Sequence, residues 1–255
     1  MSALSGDELE RYSRQLVLPE WSEAAQLRVK RASVLVLGAG ALGSPAALYL
    51  AAAGVGHLGI ADPDAVETSN LARQVIHFTP DTGVPKALSA AAKLRFLNPD
   101  IVVEPYQVRL EPENARALVA GHDCVQDCSD SFATRYAVND ACCAVRTPLV
   151  EAGVLGFRGL VMAIRPGESA CYRCAFPDPP APGAVPSCAE AGVLGPVAGV
   201  VGSWQALEAL KLIARVGEPL LDRFLEWDGL SAQVTEVRTA RRADCPACEG
   251  VELRP

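Results

Sequence analysis

Three glycines at the spacing G-x-G-x-x-G are the first residues whose types and positions could do chemistry. Gly38, Gly40 and Gly43 follow an apolar run, 34–37, that predicts a buried strand. Glycines let the backbone approach a phosphate closely, and the helix start that follows offers free N–H groups. Asp62 comes about 20 positions later, where a carboxylate can accept hydrogen bonds from ribose hydroxyls. The pattern predicts a nucleotide site; the alternative is a glycine-rich turn that only packs a helix on a sheet.

A second group of polar residues falls in loops or helix starts that follow predicted strands: Asp62, Asn70, Arg73, Lys86 and Asp130. Ligands of parallel α/β sheets bind at the carboxyl ends of the strands. Two cations and a spare carboxylate suit a polyphosphate and its Mg²⁺. Taken singly, Arg73 and Lys86 could equally be solvated surface charges.

The cysteines form two C-x-x-C pairs, Cys171 with Cys174 and Cys245 with Cys248. Each pair supplies two thiolates from a tight turn, and four thiolates make a closed tetrahedral zinc site. Such an ion would tie the end of the chain to its middle. The alternative is a redox pair at either motif. Four further cysteines lie in a predicted strand and helix and are expected to be buried packing residues: Cys124, Cys128, Cys142 and Cys143.

Strands and helices alternate from residue 33 to residue 153. Strands are predicted at 34–37, 56–61, 101–108, 123–128 and 148–153, with helices at 42–53, 85–96, 112–120 and 132–145. After residue 153 the pattern predicts an antiparallel strand at 160–165, a helix at 196–216 and strands at 224–227 and 233–238. The fold class is therefore α/β, a Rossmann-like and mostly parallel sheet with helices on both faces, extended by antiparallel strands and a four-cysteine zinc site.

The N-terminal segment predicts two helices, and the whole chain predicts one domain. The first helix spans 6–18 and carries Arg11 and Arg14 on one face; the second spans 22–31. Residues 1–255 divide into N-terminal helices at 1–32, a nucleotide-binding core at 33–153 and a mixed-sheet extension at 154–255.

Composition limits the function classes. The chain has 255 residues, of which 50% are hydrophobic, and a formal charge of −7, which argues against non-specific nucleic-acid binding. The N-terminus is polar and acidic, unlike a signal peptide. The uncharged run 191–207 is expected to be too short and too broken for a membrane span. We therefore expect a cytoplasmic protein, in which nine cysteines favour metal or catalysis over disulfides.

A nicotinamide-dependent oxidoreductase is the first alternative for such a fold. None of the five tyrosines has a lysine four residues later, so the tyrosine–lysine pair of short-chain dehydrogenases is missing. A Walker A sequence is also missing. The second alternative is a non-catalytic scaffold that binds zinc and a ubiquitin-like partner.

Motifs along nearly the whole chain resemble the MoeB/ThiF family, bacterial relatives of ubiquitin-activating enzymes, and most closely its MoeB-type members. They are R-Y-x-R-Q at 11–15, G-A-G-A-L-G-S at 38–44, D-P-D at 62–64, S-N-L-x-R-Q at 69–74, G-x-P-K at 83–86, D-C-S-D-S-F-x-T-R-Y at 127–136, C-Y-R-C at 171–174, C-A-E-A-G-V-L-G-P at 188–196 and C-P-x-C at 245–248. The resemblance implies ATP-dependent adenylation of the C-terminal glycine of a small ubiquitin-like sulfur-carrier protein ending in Gly-Gly. It also implies a homodimer.

The resemblance implies roles for individual residues. Asp62 would hold the ribose and Asp130 the Mg²⁺, while Arg14 would reach the phosphates from the other subunit. The residues that would bind the nucleotide are Gly38, Gly40, Ala41, Gly43, Asp62, Asp64, Ser69, Asn70, Arg73, Gln74, Lys86, Asp130 and Ser131. Ala41 stands where the family usually has glycine, and Ser131 where asparagine is common.

Cys188 follows a proline-rich segment and is expected in a mobile loop. Our hypothesis is that it is dispensable for the adenylate but acts in a later thioester, persulfide or acyl-disulfide step. The alternative is an accessible cysteine with no catalytic task. Because no rhodanese domain follows Cys248, we expect a separate sulfur donor; molybdopterin, thiamin, tRNA thiolation and secondary metabolism all remain open as pathways.

Overall fold

Five parallel strands have their carboxyl ends at the same edge of one sheet in the computed structural model. The model describes residues 3–181, 183–186, 188–248 and 250–251. Within this part, all eight strands form one sheet in the order β3-β2-β1-β4-β5-β6-β7-β8. The strands are β1 Ser33–Leu37, β2 His57–Ala61, β3 Val102–Tyr106, β4 Cys124–Asp127, β5 Leu149–Leu155, β6 Arg158–Ile164, β7 Arg223–Asp228 and β8 Gln233–Arg238. β1 to β5 are parallel, and β6 to β8 add antiparallel to β5, which confirms the predicted fold class.

Helices cover both faces of the sheet. They are α1 Gly6–Arg11, α2 Ser13–Leu16, α3 Glu23–Arg31, α4 Gly43–Ala53, α5 Lys86–Leu97, α6 Pro112–Ala120, α7 Phe132–Val145, α8 Tyr172–Ala175, α9 Cys188–Ala191 and α10 Gly195–Ala214. Alternate residues of β1 enter opposite cores, because successive side chains of a strand point to opposite faces. Val34 and Val36 pack with α3, α4, α5 and α10, whereas Leu35 and Leu37 pack with α6 and α7.

The ends of the strands follow their pairing partners rather than local composition. The strand predicted to reach residue 108 stops at Tyr106, which pairs with Ala61, the last residue of β2. The strand predicted to end at residue 153 continues to Leu155, because β6 begins earlier than predicted and pairs with it to the end. Gly156, with a φ of +59°, makes the tight turn between them.

The single helix predicted over 6–18 is wrong. Tyr12 interrupts it between α1 and α2, so Arg11 and Arg14 lie on separate helices. Tyr12 is 2% exposed, and its hydroxyl accepts a hydrogen bond of 3.0 Å from the side chain of Asn98. A Cβ at Gly54, the left-handed C-cap of α4, would overlap this ring. Burial of Tyr12 against the core therefore decides where the helix breaks.

The helix α10, Gly195–Ala214, begins one residue before the helix predicted at 196–216 and ends two residues before it. It runs without a break through Gly199 and Gly202, so the expectation that the uncharged run 191–207 is too short and too broken for a membrane span is wrong as to length and composition. By length and composition α10 could cross a membrane, but 56% of its most apolar window is buried inside the protein. It packs against α4, β5 and β6, which makes it a core helix of this fold.

Gly202 sets the distance between α10 and α4, and we expect Gly202→Ala to lower the free energy of unfolding by about 1–3 kcal/mol. A Cβ at this position would overlap the carbonyl oxygen of Leu42 and lie 2.6 Å from Cγ of Pro45. Gly199 is the matched control on the same helix, because a Cβ there meets nothing within 4 Å. Gly199→Ala should leave stability unchanged or raise it by up to about 1 kcal/mol. Chemical denaturation of both variants measures the difference, and equal stabilities would contradict close packing at Gly202.

Candidate nucleotide site and cysteine cluster

A cavity of about 970 Å³ opens at the carboxyl ends of the parallel strands. It lies where the strand order reverses between β1 and β4, the place at which open α/β sheets bind ligands. Residues of the predicted site that line it are Gly38, Gly40, Ala41, Asp62, Asp64, Arg73, Gln74, Lys86, Asp130 and Ser131. The structure thus brings residues from five separate stretches of the chain to one cavity.

The glycine loop is shaped by the approach of neighbouring backbone. Gly38 has a φ of +95°, and a Cβ there would lie 2.9 Å from the carbonyl oxygen of Cys128. A Cβ at Gly43, the first residue of α4, would overlap the carbonyl oxygen of Gly38. At Gly40 a Cβ would meet only the Gln74 amide, at 3.6 Å, so this position faces open space in the cavity. Gly38 and Gly43 are therefore required by packing, and Gly40 leaves room for a ligand.

The carboxylate of Asp62 joins the end of β2 to the glycine loop. One oxygen accepts a hydrogen bond of 2.8 Å from the Ala39 backbone N–H, and the other accepts one of 2.9 Å from Asp64. Asp62 is 4% exposed. Burial raises its pKa, against the opposing effects of these hydrogen bonds and of Lys86. The residue is both a loop anchor and an acceptor at the cavity wall.

Two cations, Lys86 and Arg73, also line the cavity. Lys86 begins α5, is 7% exposed, and places its Nζ 3.4 Å from Oδ2 of Asp64. Arg73 donates a hydrogen bond of 2.8 Å to the carbonyl oxygen of Ser69. A buried ammonium whose partner carboxylate is more than half exposed is suited to bind an added anion such as a phosphate.

Several polar atoms at the cavity lack partners within the described part of the chain. The Asp130 carboxylate is exposed and makes no hydrogen bond or ion pair there. Gln74 Oε1 and Ser129 Oγ are buried and unpartnered, although both residues line the cavity. Because buried polar groups are normally hydrogen-bonded, these atoms fit a polar ligand between them. Asp130 offers the hard oxygen that Mg²⁺ prefers.

Some predicted site residues stand apart from the cavity. Ser69 and Asn70 form a turn in which Asn70 Oδ1 accepts a hydrogen bond of 3.1 Å from Glu67 N–H, and neither residue lines the wall. Arg14 is exposed on α2 and does not reach the cavity of its own chain. The backbone of Cys188 begins the helix α9 rather than a loop, and its side chain lies outside the described part of the structure.

Three arginines that the sequence did not single out also line the cavity: Arg109, Arg135 and Arg158. Arg109 follows β3 and lies 3.6 Å from Asp64, so the rule that ligands bind at strand ends would have identified it. Arg158 starts the antiparallel β6, to which that rule does not apply. Beyond it the cavity continues over β7 and β8, along Glu226, Asp228, Gln233 and Thr235.

The two C-x-x-C motifs meet in space. The four sulfur atoms lie within 4.8 Å of one another, and all four cysteines are buried. Cys171 Sγ is 3.7 Å from Cys174 Sγ and 3.5 Å from Cys245 Sγ, and Cys174 Sγ is 3.7 Å from Cys248 Sγ. A tetrahedral zinc site with Zn–S bonds of about 2.3 Å places its sulfurs roughly 3.8 Å apart. The residues present therefore fit a four-thiolate metal site, with the first motif in α8 rather than in a simple turn.

Neighbouring groups support negative charge on these sulfurs. Asn139 Nδ2 donates to Cys171 Sγ at 3.8 Å, and the backbone N–H of Arg242 donates to Cys174 Sγ at 3.4 Å. Hydrogen bonds from Cys143 and Cys171 lower the pKa of Cys248 to about 5, whereas burial raises the pKa of Cys174. Cys143 of α7 is predicted only to pack, but it also hydrogen-bonds with Cys171 and Cys248 of the cluster. The spacing of the cysteines in the sequence does not indicate this contact.

Comparison with known proteins adds relatives along the whole chain. The model of the ThiF family matches residues 12–247. A sulfur carrier protein adenylyltransferase of Thermus thermophilus is 49% identical over 247 residues, which cover 95% of this chain and 91% of the relative. The SAMP-activating enzyme E1 of Haloferax volcanii is 46% identical, covering 96% and 91%. The adenylyltransferase and sulfurtransferase MOCS3 of Sus scrofa is 50% identical over 97% of this chain but only 54% of its own length.

Solved structures share the fold at lower identity. The crystal structure of E. coli MccB with ATP superposes with a TM-score of 0.84 at 23% identity, covering 93% of this chain and 74% of that one. The family model and the curated relatives both extend over most of the chain, and the chain belongs to the ThiF family.

Proposed function

We propose that this chain is an adenylyltransferase that uses ATP to adenylate the C-terminal glycine of a small ubiquitin-like sulfur-carrier protein. The observation that carries the proposal is the convergence of the glycine loop, the cations Arg73 and Lys86 and the unpartnered Asp130 on one cavity. The relatives named as sulfur carrier protein adenylyltransferase and SAMP-activating enzyme support it. An oxidoreductase is not favoured, because the family match extends over residues 12–247.

The reaction needs positioning more than covalent help from the protein. A carboxylate oxygen of the carrier attacks the α-phosphorus of ATP, the bond to the β-phosphate breaks, and pyrophosphate leaves. Negative charge shifts toward the departing oxygens, where Lys86 and Arg73 would stabilise it. Asp62 would accept hydrogen bonds from the ribose. Mg²⁺, when bound, would neutralise phosphate charge, and Asp130 would hold it.

The second half of the cavity suits an extended peptide. From the nucleotide end it continues past Gly153 and Gly159 onto the antiparallel strands, as far as Thr235. We propose that the carrier's Gly-Gly tail lies here, because residues without side chains bring the terminal carboxylate closest to the glycine loop. We also propose that the protein is cytoplasmic and has no nucleic-acid or membrane partner.

Cys188 would act after the adenylate has formed. Its helix α9 contacts β5, and Glu190 of the same helix lines the cavity, which supports a place near the activated carboxyl group. In this step the thiolate attacks the acyl carbon, the acyl–phosphate oxygen bond breaks, and AMP leaves with a thioester formed. A donor of sulfide-level sulfur would then attack the acyl carbon, the bond to Cys188 Sγ would break, and the Cys188 thiolate would leave as the carrier thiocarboxylate forms.

We expect Asp130→Ala to reduce pyrophosphate exchange, dependent on ATP and carrier, by a factor of at least ~100, since the metal loses its oxygen ligand. Labelled pyrophosphate appearing in ATP measures the exchange. Asp100→Ala is the matched control: an exposed carboxylate paired with Arg11 and absent from the cavity wall. Exchange by the Asp130 variant at the wild-type rate would contradict the assignment.

Cys188→Ala separates the two chemical steps in the same assay. It should retain exchange near the wild-type rate, because the adenylate forms before the thiol is needed. Wild type, but not this variant, should form a thiol-sensitive adduct with the carrier. If the Cys188→Ala variant also makes carrier thiocarboxylate as fast as wild type, Cys188 has no role in the later step.

A homodimer in which Arg14 completes the partner's site predicts complementation between inactive variants. Arg14 is exposed and does not line the cavity of its own chain, which supports a role across subunits. Mixing Arg14→Ala subunits with Asp130→Ala subunits should restore exchange to roughly a quarter of wild type, because half of the dimers are mixed and each has one intact site. Absence of recovery, with subunit exchange shown by mass spectrometry, would oppose it.

The four-cysteine cluster predicts one structural Zn²⁺ per chain. Metal analysis of freshly purified protein should give about one zinc, and Cys248→Ser should lose most of it and unfold at lower temperature. Cys142→Ala is the control, since Cys142 is buried on α7 outside the cluster and should retain the metal. Wild-type protein containing far less than one zinc would contradict a structural site.

A further inference from the structure

Two carboxylates lie side by side in the middle of the sheet, next to the proposed metal-binding turn. Asp127 ends β4, Glu151 lies in β5, and the two are register partners on these parallel strands. Both are completely buried. Arg135 of α7 is 9% exposed and faces them. We call Asp127, Glu151 and Arg135 the buried triad; the adenylation chemistry above does not use it.

The guanidinium of Arg135 connects β5 with the turn that carries Asp130. Its Nη1 donates hydrogen bonds to Oε1 of Glu151 and, at 2.6 Å, to the carbonyl oxygen of Ala152. Its Nη2 donates to the carbonyl oxygen of Ser129 at 2.9 Å. The N–H of Ser129 in turn donates to Oδ1 of Asp127 at 2.9 Å. Both backbone groups of Ser129, the residue before Asp130, are therefore held by the triad.

The remaining carboxylate oxygens have no partner. Oδ2 of Asp127 and Oε2 of Glu151 are buried and unbonded among the described residues. Two ionised carboxylates and one guanidinium would leave a net negative charge in the core, which is costly. One proton between these two oxygens would give each a hydrogen bond and make the triad neutral. Burial, together with the neighbouring Asp127, raises the pKa of Glu151 well above its ordinary value, against the opposing effect of Arg135.

We propose that Glu151 is protonated and donates through Oε2 to Oδ2 of Asp127, so that the buried triad carries no net charge and positions the Ser129–Asp130 turn. The chain of contacts runs from Arg135 to Oε1 of Glu151, across the shared proton to Asp127, and on to the N–H of Ser129. All three are positioning residues. The charge state of the triad stands independently, and its consequence for ATP rests on the proposed function.

Other titratable groups around the pair are neutral. Cys142 on α7, Cys128 in the turn after β4 and Tyr172 on α8 all have their pKa values raised, chiefly by burial. Arg135 is therefore the cation that faces the two carboxylates in the described part of the chain. This leaves one positive charge to be balanced by one negative charge.

Stability as a function of pH tests the shared proton. The folded state would hold a proton on Glu151 that the unfolded chain releases above pH ~4.3. As pH rises above that value, the folding equilibrium constant of wild type should fall relative to Glu151→Gln, by up to tenfold per pH unit. The amide keeps both hydrogen bonds but cannot lose its proton. Denaturant midpoints of both proteins from pH 5 to pH 8 should therefore diverge in favour of the variant; parallel midpoints would overturn the proposal.

A double-mutant cycle tests the count of charges. Each single variant, Glu151→Gln or Asp127→Asn, keeps one carboxylate. The new amide donates a hydrogen bond to that carboxylate, whose negative charge balances Arg135. The double variant leaves the guanidinium unbalanced, so its loss of folding equilibrium constant should exceed the product of the single losses at least tenfold. Independent, multiplicative losses would overturn the shared proton.

Kinetics of the same variants tests the positioning. In pyrophosphate exchange, the fold-increase in the KM for ATP of the double variant should exceed the product of the fold-increases of the two single variants at least tenfold. The KM for the carrier should change less than threefold. Equal rises in both KM values would mark general damage and overturn the positioning role. If wild type shows no exchange, the proposed function fails, while the pH and stability results still decide the charge state of the triad.

Discussion

The architecture of this molecule depends on a close contact between the turns that follow β1 and β4. The two turns are so close that only glycine fits at position 38. Gly38 lies against the carbonyl group of Cys128, and Gly43 against that of Gly38. This contact fixes the start of α4 beside the turn that carries Asp130. Because the crevice between β1 and β4 is where the strand order reverses, the loops diverge above it and leave the cavity open. A bulkier residue at either glycine would separate the nucleotide loop from the proposed metal ligand.

Charge is distributed unevenly around this contact. The chain carries a formal charge of −7, yet several cations line the cavity, including the buried Lys86. A polyanionic nucleotide would thus be attracted locally by an overall acidic protein. At the other end of the chain, the four-cysteine cluster joins α8 to residues 245–248. Two of the antiparallel strands that extend the cavity, β7 and β8, lie in the sequence between α8 and this C-terminal motif. The cluster therefore joins the two ends of a segment that would help to receive the carrier tail.

Much of the fold could be predicted from the sequence, because local signals and tertiary structure agree there. Apolar runs predict the parallel strands, and the glycine spacing predicts the loop before α4. The paired C-x-x-C motifs predict the cluster. Prediction failed where a long-range contact decides. Tyr12 breaks the first helix because its ring is buried beneath Gly54, and β3 stops where its partner stops. No local pattern contains either contact.

The site shows the same division. Residues directly after parallel strands, such as Asp62 and Asp130, were predicted to approach the cavity, and they line it. Arg158 was missed because it starts an antiparallel strand, and Glu151 because it reads as an ordinary polar interruption of an apolar run. The importance of Glu151 comes from Asp127 and Arg135, which only the assembled sheet brings beside it. Paired buried charges of this kind require the register of two strands, which the sequence alone does not specify.

Oxygen transfer from carrier to AMP tests the central claim most directly, because it follows the atom that attacks ATP. A carrier ending in Gly-Gly would be labelled with ¹⁸O in both oxygens of its terminal carboxylate and incubated with the enzyme, ATP, Mg²⁺ and hydrosulfide. If the carboxylate attacks the α-phosphorus and hydrosulfide then attacks the acyl carbon, mass spectrometry will find one ¹⁸O in each AMP released. AMP without the label would contradict adenylation of the carrier by this chain.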